Sequence, residues 1–215
     1  MNIFLFGASG PTGLLVLQYL IEKKYFVKAL VRSPEKIEMY KNNNLEIIKG
    51  DVFREETYSE SLKNCDMVIS ILGFGKSMKS NNIYSSGGQI IIKVMQKSGV
   101  KKFLTVTSNG LQKDDPAIQK SSWLYKYIGL WLAREIYADM RKLEELLENT
   151  DEINWIIVRP PKLTNGRLTK NYQVANIYSP GGIEISRADL ANFIVDQITS
   201  DKYIFKKPVL AYKLD

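Results

Sequence analysis

The sequence predicts an α/β fold built on a doubly wound parallel sheet. Short apolar runs without amphipathic period alternate with stretches of helical spacing over the first two-thirds of the chain. The first run leads straight into a glycine-rich turn and then into a helix. Crossovers between parallel strands share one hand, so this alternation winds helices onto both faces of a single sheet.

The apolar runs at 3–6, 27–31, 45–49, 67–72, 103–107 and 155–158 read as buried strands. Between them, 13–24 carries Leu14, Leu17, Tyr19, Leu20 and Ile21 at helical spacing, and 57–64 is shorter and polar. The stretch 85–98 carries Ile90, Ile91, Val94 and Met95, and 133–149 reads as a long helix. Beyond Pro160 the pattern loosens into a loop-rich extension with one more helix, 187–199, and a final strand, 208–212. No repeat, low-complexity tract or linker interrupts the chain. A single domain over 1–215 is expected, with the part from about 160 onward forming its substrate side.

Composition removes several kinds of chemistry. Apolar residues make up 45% and charged residues 25%, a globular profile. Histidine is absent and Cys65 is the only cysteine, which takes away the commonest general base, the usual zinc ligands and any internal disulfide. No metal site is expected. The first residues lack the basic lead and cleavage site of a signal peptide, and no uncharged apolar stretch is long enough to span a bilayer. A cytoplasmic protein with no membrane partner is expected. The net charge of +7 comes from lysines spread along the chain, as in Lys23 and Lys24, Lys101 and Lys102, and Lys206 and Lys207. That spread reads as solvation plus attraction for phosphate-bearing ligands, and not as a nucleic-acid surface.

The turn Gly7-Ala8-Ser9-Gly10-Pro11-Thr12-Gly13 lies between the first strand and the first helix. Gly7 permits a sharp exit from the strand, and Gly10 has no side chain to keep a pyrophosphate from the backbone. Gly13 lets helix and sheet approach, while Pro11 suits a first helical turn. Ser9 and Thr12 complete the loop, whose free amides and helix dipole favour an anion. A dinucleotide is the expected ligand. At the end of the second strand an NAD site usually carries Asp or Glu, but here the chain reads Leu30-Val31-Arg32-Ser33-Pro34-Glu35-Lys36. Arg32 and Lys36 suit a 2′-phosphate, with Ser33 as a donor, so NADP(H) is expected over NAD(H).

Taken together, these residues resemble the atypical short-chain dehydrogenase/reductase proteins, the NmrA-like and biliverdin-reductase-B-like NAD(P)H-binding group. The likeness spans almost the whole chain and rests on the 7–13 turn, Val31-Arg32, Gly50-Asp51-Val52, Ser70-Ile71-Leu72-Gly73 and Val106-Thr107-Ser108. It continues through Trp155-Ile156-Ile157-Val158-Arg159-Pro160-Pro161 and Ile185-Ser186-Arg187-Ala188-Asp189-Leu190-Ala191. The resemblance implies a Rossmann fold with Asp51 and Val52 flanking the adenine. Leu72, Gly73 and Phe74 would line the adenosine-ribose side, and Pro160 and Pro161 would border the nicotinamide. Asp51 also reads as a plain turn or cap residue.

The wider superfamily pairs a Ser or Thr after strand five with a Tyr-x-x-x-Lys pair on the next helix. The matching positions here are Ser108, Tyr137 and Arg141. Tyr137 and Arg141 share a helical face, and Arg141 would supply the cation and a fork for ribose hydroxyls. Guanidinium and ammonium are not interchangeable, and Tyr137 among Trp131, Leu132 and Ile136 also suits packing. The aromatic stretch 121–132 reads either as a wall for a planar substrate or as core or dimer contact. Ser186-Arg187-Ala188-Asp189 reads as a capping box, and Cys65 as a small buried residue.

The expected function is an NADPH-dependent reductase of a small planar or carbonyl acceptor, acting as monomer or homodimer. A non-catalytic NADP(H)-binding sensor or adaptor is the alternative. Epimerase or dehydratase chemistry fits less well, because the chain beyond Pro161 is short for a full substrate domain.

Overall fold

The structure is a computed structural model that describes residues 1–73, 81–112, 114–119 and 132–213. Six strands form one sheet: β1 (Asn2–Phe6), β2 (Phe26–Val31), β3 (Leu45–Lys49), β4 (Met67–Ser70), β5 (Lys102–Val106) and β6 (Asn154–Val158). Their order is β3-β2-β1-β4-β5-β6, and each neighbouring pair is parallel. The order reverses between β1 and β4, and at such a switch point the chain leaves adjacent strands in opposite directions and opens a crevice. The helices are α1 (Pro11–Glu22), α2 (Ser59–Leu62), α3 (Ser85–Ser98), α4 (Pro116–Gln119), α5 (Arg134–Glu148) and α6 (Arg187–Asp196).

Both faces of the sheet are covered, which is why its strands are continuously apolar. Ile3 and Leu5 of β1 join Val16, Leu17 and Leu20 of α1 and Leu190 and Ile194 of α6 in one core. Phe4 and Phe6, pointing the other way, join Ile91 and Met95 of α3 and Met140 and Leu143 of α5 in the second. All of these are at most 5% exposed. Each such side chain contributes about 1.5–3 kcal/mol by leaving water. On α5 the buried stripe is Ile136, Met140, Leu143 and Leu147, spaced to present one helical face. The open edge of β6 is closed by the chain near 205–208. Phe205 N donates to Trp155 O (2.8 Å), Ile157 N to Lys206 O (3.1 Å) and Arg159 N to Pro208 O (2.8 Å).

The strands and long helices follow the sequence pattern to within a few residues. The fourth strand stops at Ser70, two residues before the end of the apolar run. The extension beyond Pro160 is more ordered than a loop-rich reading expects. β7 (Lys162–Thr164) pairs parallel with β9 (Glu184–Ser186), and β8 (Gln173–Ala175) pairs antiparallel with β10 (Val209–Ala211). Strands of three residues are too short to show a period, so pairing partners alone reveal them. Among the described residues no helix is long and apolar enough to cross a membrane.

Candidate functional site

The C-terminal ends of the strands open into a cleft of about 670 Å³, within the range of small-molecule and cofactor sites. Its floor is the glycine turn. Gly7 has φ +80°, and a Cβ there would sit 2.3 Å from Ile71 O. A Cβ on Gly13 would sit 2.0 Å from Gly7 O, so both glycines are required for the strand, turn and helix to meet at all. Gly10 is different. It is extended (φ −79°, ψ 163°), and a Cβ would meet only Gly7 O, at 3.4 Å, an ordinary contact. The fold does not require glycine here; an added methyl would fill only the hollow over the first turn of α1. That hollow suits a diphosphate, which needs close approach to backbone amides.

From this floor the cleft runs both ways along the sheet. Gly7, Ser9, Gly10, Pro11, Thr12 and Gly13 line its centre, while Arg32, Lys36, Asp51 and Val52 line the β2–β3 end. Leu72 and Gly73 line it at β4, and Ser108, Tyr137, Pro160 and Pro161 line the β5–β6 end. Arg32 and Lys36 are exposed and stand in no ion pair among the described residues. Ser33 precedes the turn Pro34–Lys36 and is not among the lining residues. Asp51 has the turn role as well, since Oδ1 accepts from Phe53 N (3.0 Å). Phe74 lies outside the described residues, as does the aromatic stretch through 131; Leu132, which ends it, is 52% exposed.

At the β5 end, Ser108 and Tyr137 converge on Gly110. Ser108 Oγ accepts from Gly110 N (3.1 Å), and a Cβ on Gly110 would lie 2.3 Å from Tyr137 Oη and 3.3 Å from Ser108 Oγ. Any side chain at 110 would push the phenol away. Arg141 does not line the cleft; its Nη2 donates to Leu111 O (3.4 Å), next to Gly110 in the chain. Tyr84, the residue just before α3, also lines the cleft. Burial chiefly, then the negative Asp139, pushes its hydroxyl well above the usual phenol range.

Two buried carboxylates of α5, Asp139 and Glu144, brace this end, and sequence reasoning overlooked both. Asp139 of α5 accepts from Tyr84 N and Ser85 N, each at 3.0 Å, and from Ser85 Oγ. It thereby caps α3, whose own N-cap residue, Tyr84, provides no side-chain cap. Glu144, two turns beyond Tyr137, accepts from Thr107 Oγ1 (2.7 Å), Arg159 Nε (3.0 Å) and Nη2, and Lys207 Nζ (3.2 Å). Thr107 and Arg159 immediately precede Ser108 and Pro160, so one carboxylate fixes the exits of β5 and β6. Burial pushes the Glu144 carboxyl upward, but Arg159, Thr107 and Lys207 together hold it below the usual range. The available signal was a charged residue within the apolar stripe of α5, at both 139 and 144.

Asp189, buried on α6, reads in sequence as half of a capping box, and Ser186 Oγ does accept from Asp189 N (2.9 Å). Its carboxylate also accepts from Tyr212 Oη (2.6 Å), Lys170 N (2.7 Å), and Thr169 N and Oγ1 (both 2.9 Å), tying the extension to α6. Burial raises its pKa, yet these donors outweigh it and the net direction is down. Cys65 is buried, and burial pushes its thiol up to about 11 against the opposing pull of Lys28. It is no nucleophile.

A parallel sheet in this order, with a glycine-floored cleft at its switch point, defines a dinucleotide-binding protein of the Rossmann type. The chain belongs to the NAD(P)H-binding family, whose profile matches residues 7–201. YwnB of Bacillus subtilis is 24% identical over 205 residues, covering 92% of each chain. The photosystem II assembly factor Ycf39 of Synechocystis is 30% identical over 106 residues, 48% of this chain but only 32% of that protein. Among solved structures, the oxidoreductase ylbE of Lactococcus lactis superposes with a TM-score of 0.81 at 22% identity, covering 99% of this chain and 92% of that one. A candidate NADH-flavin reductase of Streptococcus pneumoniae superposes at 0.77 with 23% identity, covering 99% and 100%.

Proposed function

We propose that this chain is an NADPH-dependent reductase of a small planar or carbonyl acceptor. The observation that carries the reading is the hollow over Gly10, a position where the fold tolerates a methyl and a diphosphate does not. Backbone amides of the 7–13 turn hold the diphosphate, Arg32 and Lys36 take the 2′-phosphate, and Asp51 and Val52 flank the adenine. Ser33 adds a donor to the 2′-phosphate, Leu72 and Gly73 line the adenosine-ribose side, and Pro160 and Pro161 border the nicotinamide. Absence of an acidic residue at the tip of β2 favours NADP(H) over NAD(H). Bound NADPH supplies a hydride. Ser108 and Tyr137, converging at Gly110, orient the acceptor oxygen and provide its proton. The similarity to a candidate flavin reductase supports a flat aromatic acceptor.

A second reading, a non-catalytic NADP(H) sensor, is favoured by one feature: the position matching the superfamily's lysine carries Arg141, which donates to Leu111 O and does not line the cleft. One experiment separates the readings. NADPH and NADH are titrated calorimetrically into native protein and Arg32→Ala, and NADPH oxidation is then followed with flavins, quinones, tetrapyrroles and aldehydes. NADPH should bind at least about tenfold tighter than NADH, and Arg32→Ala should lower NADPH affinity about 10- to 100-fold with NADH unchanged. Equal affinities for the two cofactors would end the NADPH assignment. Tight binding with no turnover on any acceptor would establish the sensor.

A further inference from the structure

Arg187 opens α6 and lines the cleft beside Pro161, Leu163 and Leu190. Its Nη1 donates to Asn165 Oδ1 (2.7 Å) and Leu163 O (3.4 Å). Both acceptors are neutral, and the side chain stands in no ion pair among the described residues. The contrast with Arg159 is sharp: there Glu144 meets the guanidinium with both carboxylate oxygens. The nearest acid in sequence, Asp189, is taken up by Thr169, Lys170, Tyr212 and Ser186. Arg187 is half-buried, unlike the exposed Arg32 and Lys36 at the opposite end. A half-buried cation at a cleft wall with no counter-charge is an anion site awaiting its anion.

Location decides which anion. The tether runs to Leu163 and Asn165, in the extension beyond Pro161, and not to the glycine turn. We infer that Arg187 recognises an anionic group on the acceptor, so that the site takes planar acceptors bearing a phosphate, carboxylate or sulfonate. The inference rests on the reductase reading for the word acceptor, but anion recognition itself is a property of binding.

The test uses two pairs of ligands that share a ring and differ in charge: FMN with riboflavin, and anthraquinone-2-sulfonate with anthraquinone. Each is titrated into NADP⁺-saturated native protein and Arg187→Gln by fluorescence. In at least one pair, native protein should prefer the anion by about tenfold or more. Arg187→Gln should abolish that preference while leaving the neutral partner and NADP⁺ affinities unchanged. No charge preference in either pair would overturn the inference, and so would a preference that survives in Arg187→Gln. A parallel loss of NADP⁺ affinity would overturn it too, moving Arg187 to the cofactor. Charge-selective binding with no NADPH oxidation would refute the reductase reading alone and leave anion recognition standing.

Discussion

At its centre the cleft presents backbone, whereas at its β5 end it presents side chains held by buried carboxylates. The glycine turn is shaped by close backbone approach, a Cβ on Gly7 meeting Ile71 O and one on Gly13 meeting Gly7 O. The Ser108–Tyr137 end needs Asp139 to seat α5 on α3 and Glu144 to pin the exits of β5 and β6. A surface made of amides tolerates variation around it. One made of positioned hydroxyls fails when its buried supports fail, and the two ends should respond differently to mutation.

The largest effect is expected at Glu144. Glu144→Ala leaves Arg159, which is only 6% exposed, without its carboxylate, while Lys207 keeps Glu148. Breaking a buried ion pair from one side costs about 3–5 kcal/mol, so thermal melting should fall by roughly 10 °C. A melting temperature within a degree or two of native would mean that the β5 end stands without this support.

Tyr137→Phe sharpens the contrast from the chemical side. Removing the hydroxyl should lower turnover of an accepted substrate by about 100-fold, with NADPH affinity nearly intact because the floor is untouched. Unchanged turnover would take Tyr137 out of the mechanism and leave Ser108 as the proton-bearing group.

A smaller effect is expected from acid. Glu144 and Asp189 both have pKa values held below those of the unfolded chain, so each contributes stability at neutral pH that disappears as pH falls through its folded-state value. Melting temperature should therefore be flat near neutrality and drop below about pH 4, the unfolded carboxylate range. Asp189→Asn should melt lower at pH 7 and show a shallower drop between pH 5 and 3. An equally steep profile in that variant would remove Asp189 from the linkage.

The same contrast explains what the sequence disclosed. Strands buried on both faces are uninterrupted apolar runs, and Gly7 and Gly13 announce the turn because no other residue fits there, so sheet and cleft floor are legible. Asp139, Glu144 and Gly110 are not, since their roles exist only once α5 meets α3, β5 and β6. In sequence they are a carboxylate in an apolar stripe or an unremarkable glycine. Arg187 was legible only as a helix-opening residue, because the missing counter-charge is a fact of three dimensions. The three-residue strands of the extension escaped for want of length.

Gly10→Ala puts the dinucleotide assignment to its most direct trial, read as both a melting curve and an NADPH isotherm. Its extended backbone and open surroundings accept a methyl, and the loss of N-cap preference and the gain from reduced unfolded-state freedom oppose each other, so stability should stay within about 1 kcal/mol of native. NADPH affinity should nevertheless fall by about tenfold or more, since the methyl occupies the space over the first turn of α1. Undiminished NADPH binding by this variant, or no binding by the native protein, would contradict the account.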